Sequence, residues 1–184
     1  MRVILASQSP RRKELIKMLN IEAITMPSRI EEVIDETLSH EEMVMDLAYQ
    51  KASDIFRDHK DDLVLGFDTL VILGDKIMGK PKDKQEARMY LKELSGRTHR
   101  VITGCAFIKK GHSSSFYSSA DVTFYPMTDH EIEEYIDTKE PFDKAGAYGI
   151  QGYGSKYIQS IYGDYYAIVG FPVSKIYREL KEVI

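Results

Sequence analysis

The apolar positions change their spacing several times along the chain, and each change marks an element. Val3-Ile-Leu-Ala6 is a short unbroken apolar run. A polar turn and an amphipathic stretch follow, closing near Asn20, which predicts strand, turn and helix. Ser9 takes the N-cap position of that helix and Pro10 its first turn. A second helix begins at Ser39, with Glu42 three residues on as a capping box. Its stripe is Met43, Leu47, Ala48, Ala52 and Ile55, and Lys51 falls towards its far end. Leu63 to Leu73 is almost continuously apolar and reads as a central strand. Gly74-Asp75 predicts a two-residue hairpin turn, with a returning strand from Lys76 towards Gly79-Lys80-Pro81.

The second half continues the alternation. Asp83 caps a helix with Glu86 in the box position, a stripe of Ala87, Tyr90, Leu91 and Leu94, and Gly96 as its stop. Strands are expected near 100–108 and 115–125, and Thr128 with Glu131 opens a helix running to about Asp137. A glycine-rich segment, 143–154, precedes strands expected near 156–161 and 165–169, and Pro172 starts a last helix. Mixed strands, helices and hairpins predict an α/β class with a mixed twisted sheet and flanking helices.

Composition narrows the function classes. The 184 residues predict one domain, 1–184, with 43% apolar and 29% charged residues, as in a soluble globular protein. No apolar run approaches the roughly 20 residues of a membrane span. Arg11 and Arg12 interrupt the first apolar stretch too early for a signal peptide, which predicts a cytoplasmic protein. A net charge of -4 argues against coating a nucleic acid polymer, yet not against one small anion held by local cations. The five histidines have no zinc spacing, and the lone Cys105, inside a strand, reads as a packed thiol.

Three places suggest chemistry. Arg12 occupies the slot where a capping box wants Glu or Gln, with Arg11 beside it. Each opposes the helix macrodipole at roughly 0.3–1 kcal/mol, so the pair reads either as an anion socket or as solvated arginines on a turn. Asp68 lies inside an apolar strand, where a carboxylate needs cations, donors or a metal, and Thr69 follows it. Lys80 returns along the hairpin, opposite Thr69 or Asp68 depending on the turn length. Glu31-Glu32 is a loop pair that reads as solvated, or, together with Asp68, as a carboxylate set for Mg²⁺. Gln151, in the glycine-rich segment, presents an amide donor and acceptor side by side, matching O4 and N3–H of uracil or thymine.

Taken in order, Leu5-Ala-Ser-Gln-Ser-Pro-Arg-Arg12, Leu47-Ala-Tyr-Gln-Lys-Ala52, Gly66-Phe-Asp-Thr69, Gly79-Lys-Pro81, Leu94-Ser-Gly-Arg-Thr-His99, Val101-Ile-Thr-Gly104 and Asp143-Lys-Ala-Gly-Ala-Tyr-Gly-Ile-Gln-Gly152 resemble the Maf proteins, nucleoside triphosphate pyrophosphatases. The resemblance spans nearly the whole chain. It implies two lobes around a central cleft, a homodimer, and hydrolysis of a nucleoside triphosphate to monophosphate and pyrophosphate with a divalent metal, Mg²⁺ first and Mn²⁺ or Co²⁺ as alternatives. Carried over by position, Asp68 matches the catalytic Asp. Arg11, Thr69 and Gln151 match the specificity positions. Ser7, Arg12, Lys51 and Lys80 match the phosphate-site residues, and Glu32, with Asp68, matches a metal-site carboxylate. Gln151 fits the branch acting on dTTP and UTP, with a house-cleaning role. Phe67 and Phe171 depart from the family pattern, where a small residue and Leu are usual. Two rival readings remain: a nucleotidyltransferase, and a non-catalytic nucleotide-binding regulator of cell division.

Overall fold

The structure, a computed structural model, describes residues 1–183. Among these residues seven strands form one mixed sheet. Strand β1 (Val3–Ala6) runs parallel to both β2 (Ala23–Thr25) and β3 (Leu63–Leu73). Strand β4 (Lys76–Met78) turns back antiparallel on β3. Strands β5 (Thr98–Lys109), β6 (His112–Phe124) and β7 (Ile158–Gly163) complete the order β2-β1-β3-β5-β6-β7. The helices are α1 (Pro10–Lys17), α2 (His40–Phe56), α3 (Lys84–Leu94), α4 (Asp129–Asp137), α5 (Tyr165–Val169) and α6 (Val173–Val183). The mixed α/β class expected from the periodicity is the one found.

The chain divides into two compact units, and β3, β5 and β6 contribute to both. The first comprises residues 1–69, 102–118 and the stretch from Gly170 onward. Its sheet carries helix α2 on one face, with Ile4, Val64, Ala106 and Ile108 meeting Ala48 and Ala52. Two glycines set how closely the helix lies. A Cβ on Gly66 would overlap the Ala48 carbonyl oxygen and stand 2.9 Å from Ala52 Cβ. A Cβ on Gly104 would overlap the Val44 carbonyl. Only the missing side chains let the α2 backbone rest on β3 and β5. The capping box at Ser39 and Glu42 is present, so the helix start is legible from sequence. Asp62 accepts from the Arg2 backbone N–H at 2.9 Å and its guanidinium at 2.6 Å, which holds this carboxyl down at about 2 and ties the chain start to the lead-in of β3.

The second unit, 70–101 and 119–169, has its own core, built by Leu91, Leu94, Val122, Phe124, Ile132 and Ile136. Helices α3 and α4 both begin as expected, at Asp83 and at the Thr128–Glu131 box. His99 is buried here between Phe124 and Tyr148, edge-on to both rings. Its Nε2 lies 2.8 Å from Tyr148 Oη, and its Nδ1 has no hydrogen-bond partner among the described residues. Burial lowers the His99 pKa to about 4.

Four expectations are corrected. Residues 165–169 form helix α5, not a strand: Asp164 accepts from the Tyr166 N–H at 2.9 Å and starts a helical turn that the β-favouring composition conceals. The strand expected over 156–161 begins only at Ile158 and runs to Gly163, preceded by a 3-10 turn over Tyr153–Tyr157. The strand expected near 115–125 begins earlier, at His112, and ends at Phe124, so the serines at 113–115 lie inside β6. The returning strand stops at Met78, paired with Val71, two residues short of Lys80, so no ladder carries that lysine to Asp68 or Thr69. Strand β2, three residues long, was not anticipated.

Two outcomes follow from this packing. Gly66→Ala gains unfolded-state rigidity of roughly 0.4–1 kcal/mol but forces overpacking that costs roughly 1–3 kcal/mol. The expected net result is a lower urea midpoint, and an unchanged or higher midpoint contradicts the close helix contact. His99 is neutral in the fold, so between pH 6.5 and 4 the unfolded chain binds the extra proton. Stability therefore falls as pH drops through that window, by up to about 3 kcal/mol from this residue. His99→Gln, which does not titrate, is expected to flatten the dependence of urea-derived stability on pH between 6.5 and 4.5. Parallel curves for variant and parent would show that His99 does not drive the loss.

Candidate active site

The side chains of interest in the first unit lie just beyond the end of β1 and along the middle of β3. On β3, successive residues point to opposite faces. Gly66 and Asp68 share the face on which α2 rests, while Phe67 and Thr69 point to the face towards α1.

On the α2 face, Lys51 Nζ binds Asp68 Oδ1 in a very short contact and Glu32 Oε1 at 3.1 Å. One ammonium thus bridges two carboxylates. Lys51 and Asp68 are mostly shielded, with side chains 18% and 15% exposed, whereas Glu32 is 40% exposed. Burial raises the Asp68 pKa; Lys51 pulls it back, Glu32 adds to the rise and Arg12 opposes it. The loop carrying Glu32 is tethered along the same helix. Gln50 exchanges two bonds with the Val33 backbone, at 3.0 and 2.8 Å, and Asp54, one turn on, accepts from Ser28 Oγ at 2.8 Å. The cluster is therefore set by residues 50–54 of α2, adjacent turns of one helix, which explains how a loop glutamate and a strand aspartate reach one lysine.

On the opposite face, Arg12 spends three of its five N–H donors inside the protein. Nε donates to the Gly170 carbonyl at 2.8 Å, one terminal nitrogen to Ser7 Oγ at 2.9 Å, and the other to Thr69 Oγ1 at 3.4 Å. One N–H remains on each terminal nitrogen, the two-point pattern that suits a phosphate. Burial lowers its pKa, yet an arginine stays charged. The guanidinium also sits over Phe67, 5.2 Å from the ring centre, and Phe67 packs on Phe171 at 5.2 Å. Thr69 Oγ1 lies 2.8 Å from Thr103 Oγ1. Ser9 is the N-cap of α1, as expected, but its hydroxyl makes no cap bond, and its own N–H donates to Ser7 Oγ at 3.2 Å. Arg11 is exposed. Ser7, Arg12 and Thr69 thus come together, as do Glu32, Lys51 and Asp68. Thr103 and the Gly170 carbonyl are partners that the sequence reading missed, although Thr103 lies within one of its motifs.

Lys80 and Gln151 belong to the second unit, and both are exposed. There the Gly146 N–H donates to the Gly79 carbonyl at 3.1 Å, tying the glycine-rich segment to the turn that bears Lys80. Among the described residues no group of three His, Cys, Asp or Glu side chains could hold a metal by itself. The Glu32–Asp68 pair offers two hard oxygen donors, a set that suits a cation also bound by a substrate's phosphates. No helix among those residues is long and apolar enough to cross a membrane.

The chain is 49% identical over 179 residues to a protein from Bacillus cytotoxicus named dTTP/UTP pyrophosphatase, covering 97% of this chain and 94% of the relative. It is 48% identical over 181 residues to a protein of the same name from Bacillus cereus, covering 98% and 95%. Its fold is similar to the structure of the Staphylococcus aureus Ham1 protein, with a TM-score of 0.55 and 12% identity over the whole of both chains, a likeness of fold alone. The family model described as Maf-like protein matches residues 2–183: the chain belongs to the Maf family.

Proposed function

We propose that this protein is a nucleoside triphosphate pyrophosphatase that hydrolyses dTTP and UTP to the monophosphate and pyrophosphate. The observation that carries the reading is the shielded Asp68 carboxylate bound by Lys51, which also pairs with Glu32, in a chain nearly half identical to proteins that bear that name. Asp68 is the general base. It orients a water, takes its proton, and directs it in line at the α-phosphorus; the bond to the bridging oxygen breaks and pyrophosphate departs. Lys51 opposes the upward push of burial on the Asp68 carboxyl, which remains raised and so more basic than an exposed aspartate. Ser7, Arg12 and Lys80 bind the phosphates, Arg12 through its two remaining N–H groups. Arg11, Thr69 and Gln151 set specificity, Gln151 by pairing with the polar edge of the pyrimidine.

Glu32 and Asp68 are the carboxylates that would hold a divalent cation, with Mg²⁺ the first choice and Mn²⁺ or Co²⁺ alternatives. Such a cation supplies offsetting charge for the phosphates. The resemblance of its motifs supports a single functional domain, a homodimer and a house-cleaning role in the cytoplasm.

The test is a panel of nucleoside triphosphates with Mg²⁺, scored for products. Monophosphate plus pyrophosphate from dTTP and UTP is expected, with no second substrate required. A requirement for one favours a nucleotidyltransferase, and orthophosphate release means a different bond is cut. Asp68→Asn is expected to lower turnover by about 10²–10⁴-fold while nucleotide affinity stays within tenfold. Turnover equal to the parent would remove Asp68 as base, and binding without any turnover in the parent would favour the regulator. Chelation by EDTA is expected to abolish hydrolysis and added Mg²⁺ to restore it; full activity in excess chelator would overturn the metal assignment.

A further inference from the structure

Arg12 decides which way two hydroxyl groups face. A guanidinium has donors only, so a hydroxyl that meets it accepts. Ser7 Oγ accepts from one terminal nitrogen of Arg12 at 2.9 Å and from the Ser9 N–H at 3.2 Å. Both of its acceptor sites are then filled, and its own proton has no acceptor among the described residues. Ser7 is only 7% exposed, so a nearly buried hydroxyl is left with a donor to spare.

Thr69 stands in the same relation to the other terminal nitrogen. Its Oγ1 lies 3.4 Å from Arg12 Nη2 and 2.8 Å from Thr103 Oγ1. Thr69 is half-buried, whereas Thr103 is fully buried. The alternation of β5 explains why they meet. Gly104 faces α2, where a Cβ would overlap the Val44 carbonyl, so Thr103 points to the other face, the one Thr69 and Phe67 share. A valine would fill about the same space there. The hydroxyl instead needs a hydrogen bond, and Thr69 supplies one. Gly170 keeps side-chain atoms away from both groups. A Cβ on it would stand 3.1 Å from Thr69 Oγ1 and 3.2 Å from Arg12 Nη2, and its φ of 90° suits glycine.

We propose that Thr103 is a positioning residue for the phosphate site: its hydroxyl donates to Thr69 and so turns the Thr69 proton towards the anion that Arg12 holds. This rests on the reading that Arg12 binds the nucleotide's phosphates. The Thr69–Thr103 contact suits either hydroxyl as donor, and the anion selects between them. With Thr69 donating to Thr103, a Thr69 lone pair would face the phosphate oxygens, like against like. With Thr103 donating, both acceptor sites of Thr69 are filled, by Arg12 and Thr103, as those of Ser7 are filled by Arg12 and Ser9. The cluster then presents donors alone, from the guanidinium and from both hydroxyls. A hydroxyl that already accepts a bond donates more strongly, and a bond to an ionised acceptor is roughly twice as strong as a neutral one. Thr103 thus acts on the ligand without touching it, and Thr69 serves the phosphates besides its place among the specificity residues.

The experiment measures KM and kcat for dTTP, the Kd of inorganic pyrophosphate by calorimetry, and thermal melts, all with Mg²⁺ present. The full-length parent is compared with Thr103→Val, Thr103→Ser, Thr69→Val, the double variant of Thr69→Val with Thr103→Val, and Arg12→Lys. Thr103→Val is expected to raise KM and the pyrophosphate Kd about threefold to tenfold with kcat within about twofold of the parent, as for one lost hydrogen bond made alike in the bound and transition states. Thr103→Ser keeps the hydroxyl and is expected to restore both constants. Because Thr103 works through Thr69, Thr103→Val is expected to add nothing once Thr69 is valine. A purely structural role would lower affinity in both backgrounds. If Thr103→Val does not fold, Thr103→Ala against Thr103→Ser carries the same comparison, since the two differ by the hydroxyl alone. Affinities in Thr103→Val equal to or tighter than the parent's, or a loss that persists beside Thr69→Val, overturn the Thr103 proposal; the phosphate reading then stands if Arg12→Lys weakens pyrophosphate about tenfold or more. If Arg12→Lys leaves KM and Kd unchanged, the phosphate reading fails and the proposal fails with it.

Discussion

The backbone contact between α2 and the glycines of β3 and β5 is the constraint on which the first unit depends. With no side chain at Gly66 or Gly104, the helix carbonyls of Ala48 and Val44 come down onto the strands. At that spacing Lys51, one residue before Ala52, reaches Asp68, two residues beyond Gly66 on the same face. A wider gap would leave a shielded carboxylate without its cation, which costs several kcal/mol or forces it to take a proton. The small residues at 48 and 52 thus serve the chemistry as much as the packing. The helix also reaches outward, and the loop of Glu32 hangs from Gln50 and Asp54 on the same turns.

The opposite face of β3 follows from the same alternation. Phe67 and Phe171, which the sequence reading marks as unexpected by resemblance, touch each other. The Phe67 ring, backed by Phe171, forms a platform for the Arg12 guanidinium. Neither ring lies on the face of Asp68, so the platform leaves the Lys51 contact untouched.

Much of this was legible in the sequence because it is local. The capping boxes at Ser39 and Thr128 and the cap at Asp83 form as their spacing implies, and the unbroken apolar run of 63–73 is the central strand. Asp68 stood out because a charge in such a run needs a partner. The partner itself was not legible. Lys80 looked close along a hairpin, whereas the ladder stops at Met78 and the ion pair comes from Lys51, seventeen residues before the aspartate. Helix α5 was missed because Tyr-Tyr-Ala-Ile-Val favours strand by composition, whereas Asp164 starts a helical turn by accepting from the Tyr166 N–H with its carboxylate and from the Ala167 N–H with its carbonyl.

The two adjacent arginines, alike in sequence, are unlike in physics. Arg12 is locked by three acceptors from three separate stretches of chain, Ser7, Thr69 and Gly170, and by the ring beneath it. A guanidinium already immobilised loses little freedom when it takes an anion, so its remaining donors bind at lower entropic cost than a free side chain would. Arg11, exposed on the same helix turn, has the opposite character: it contributes field rather than fixed geometry, and that contribution weakens as salt screens it. The unfavourable placement of two cations at a helix N-terminus is thus resolved differently for each. Arg12 is compensated inside the fold, by its three acceptors and by the Asp68 charge, and Arg11 is compensated by solvent.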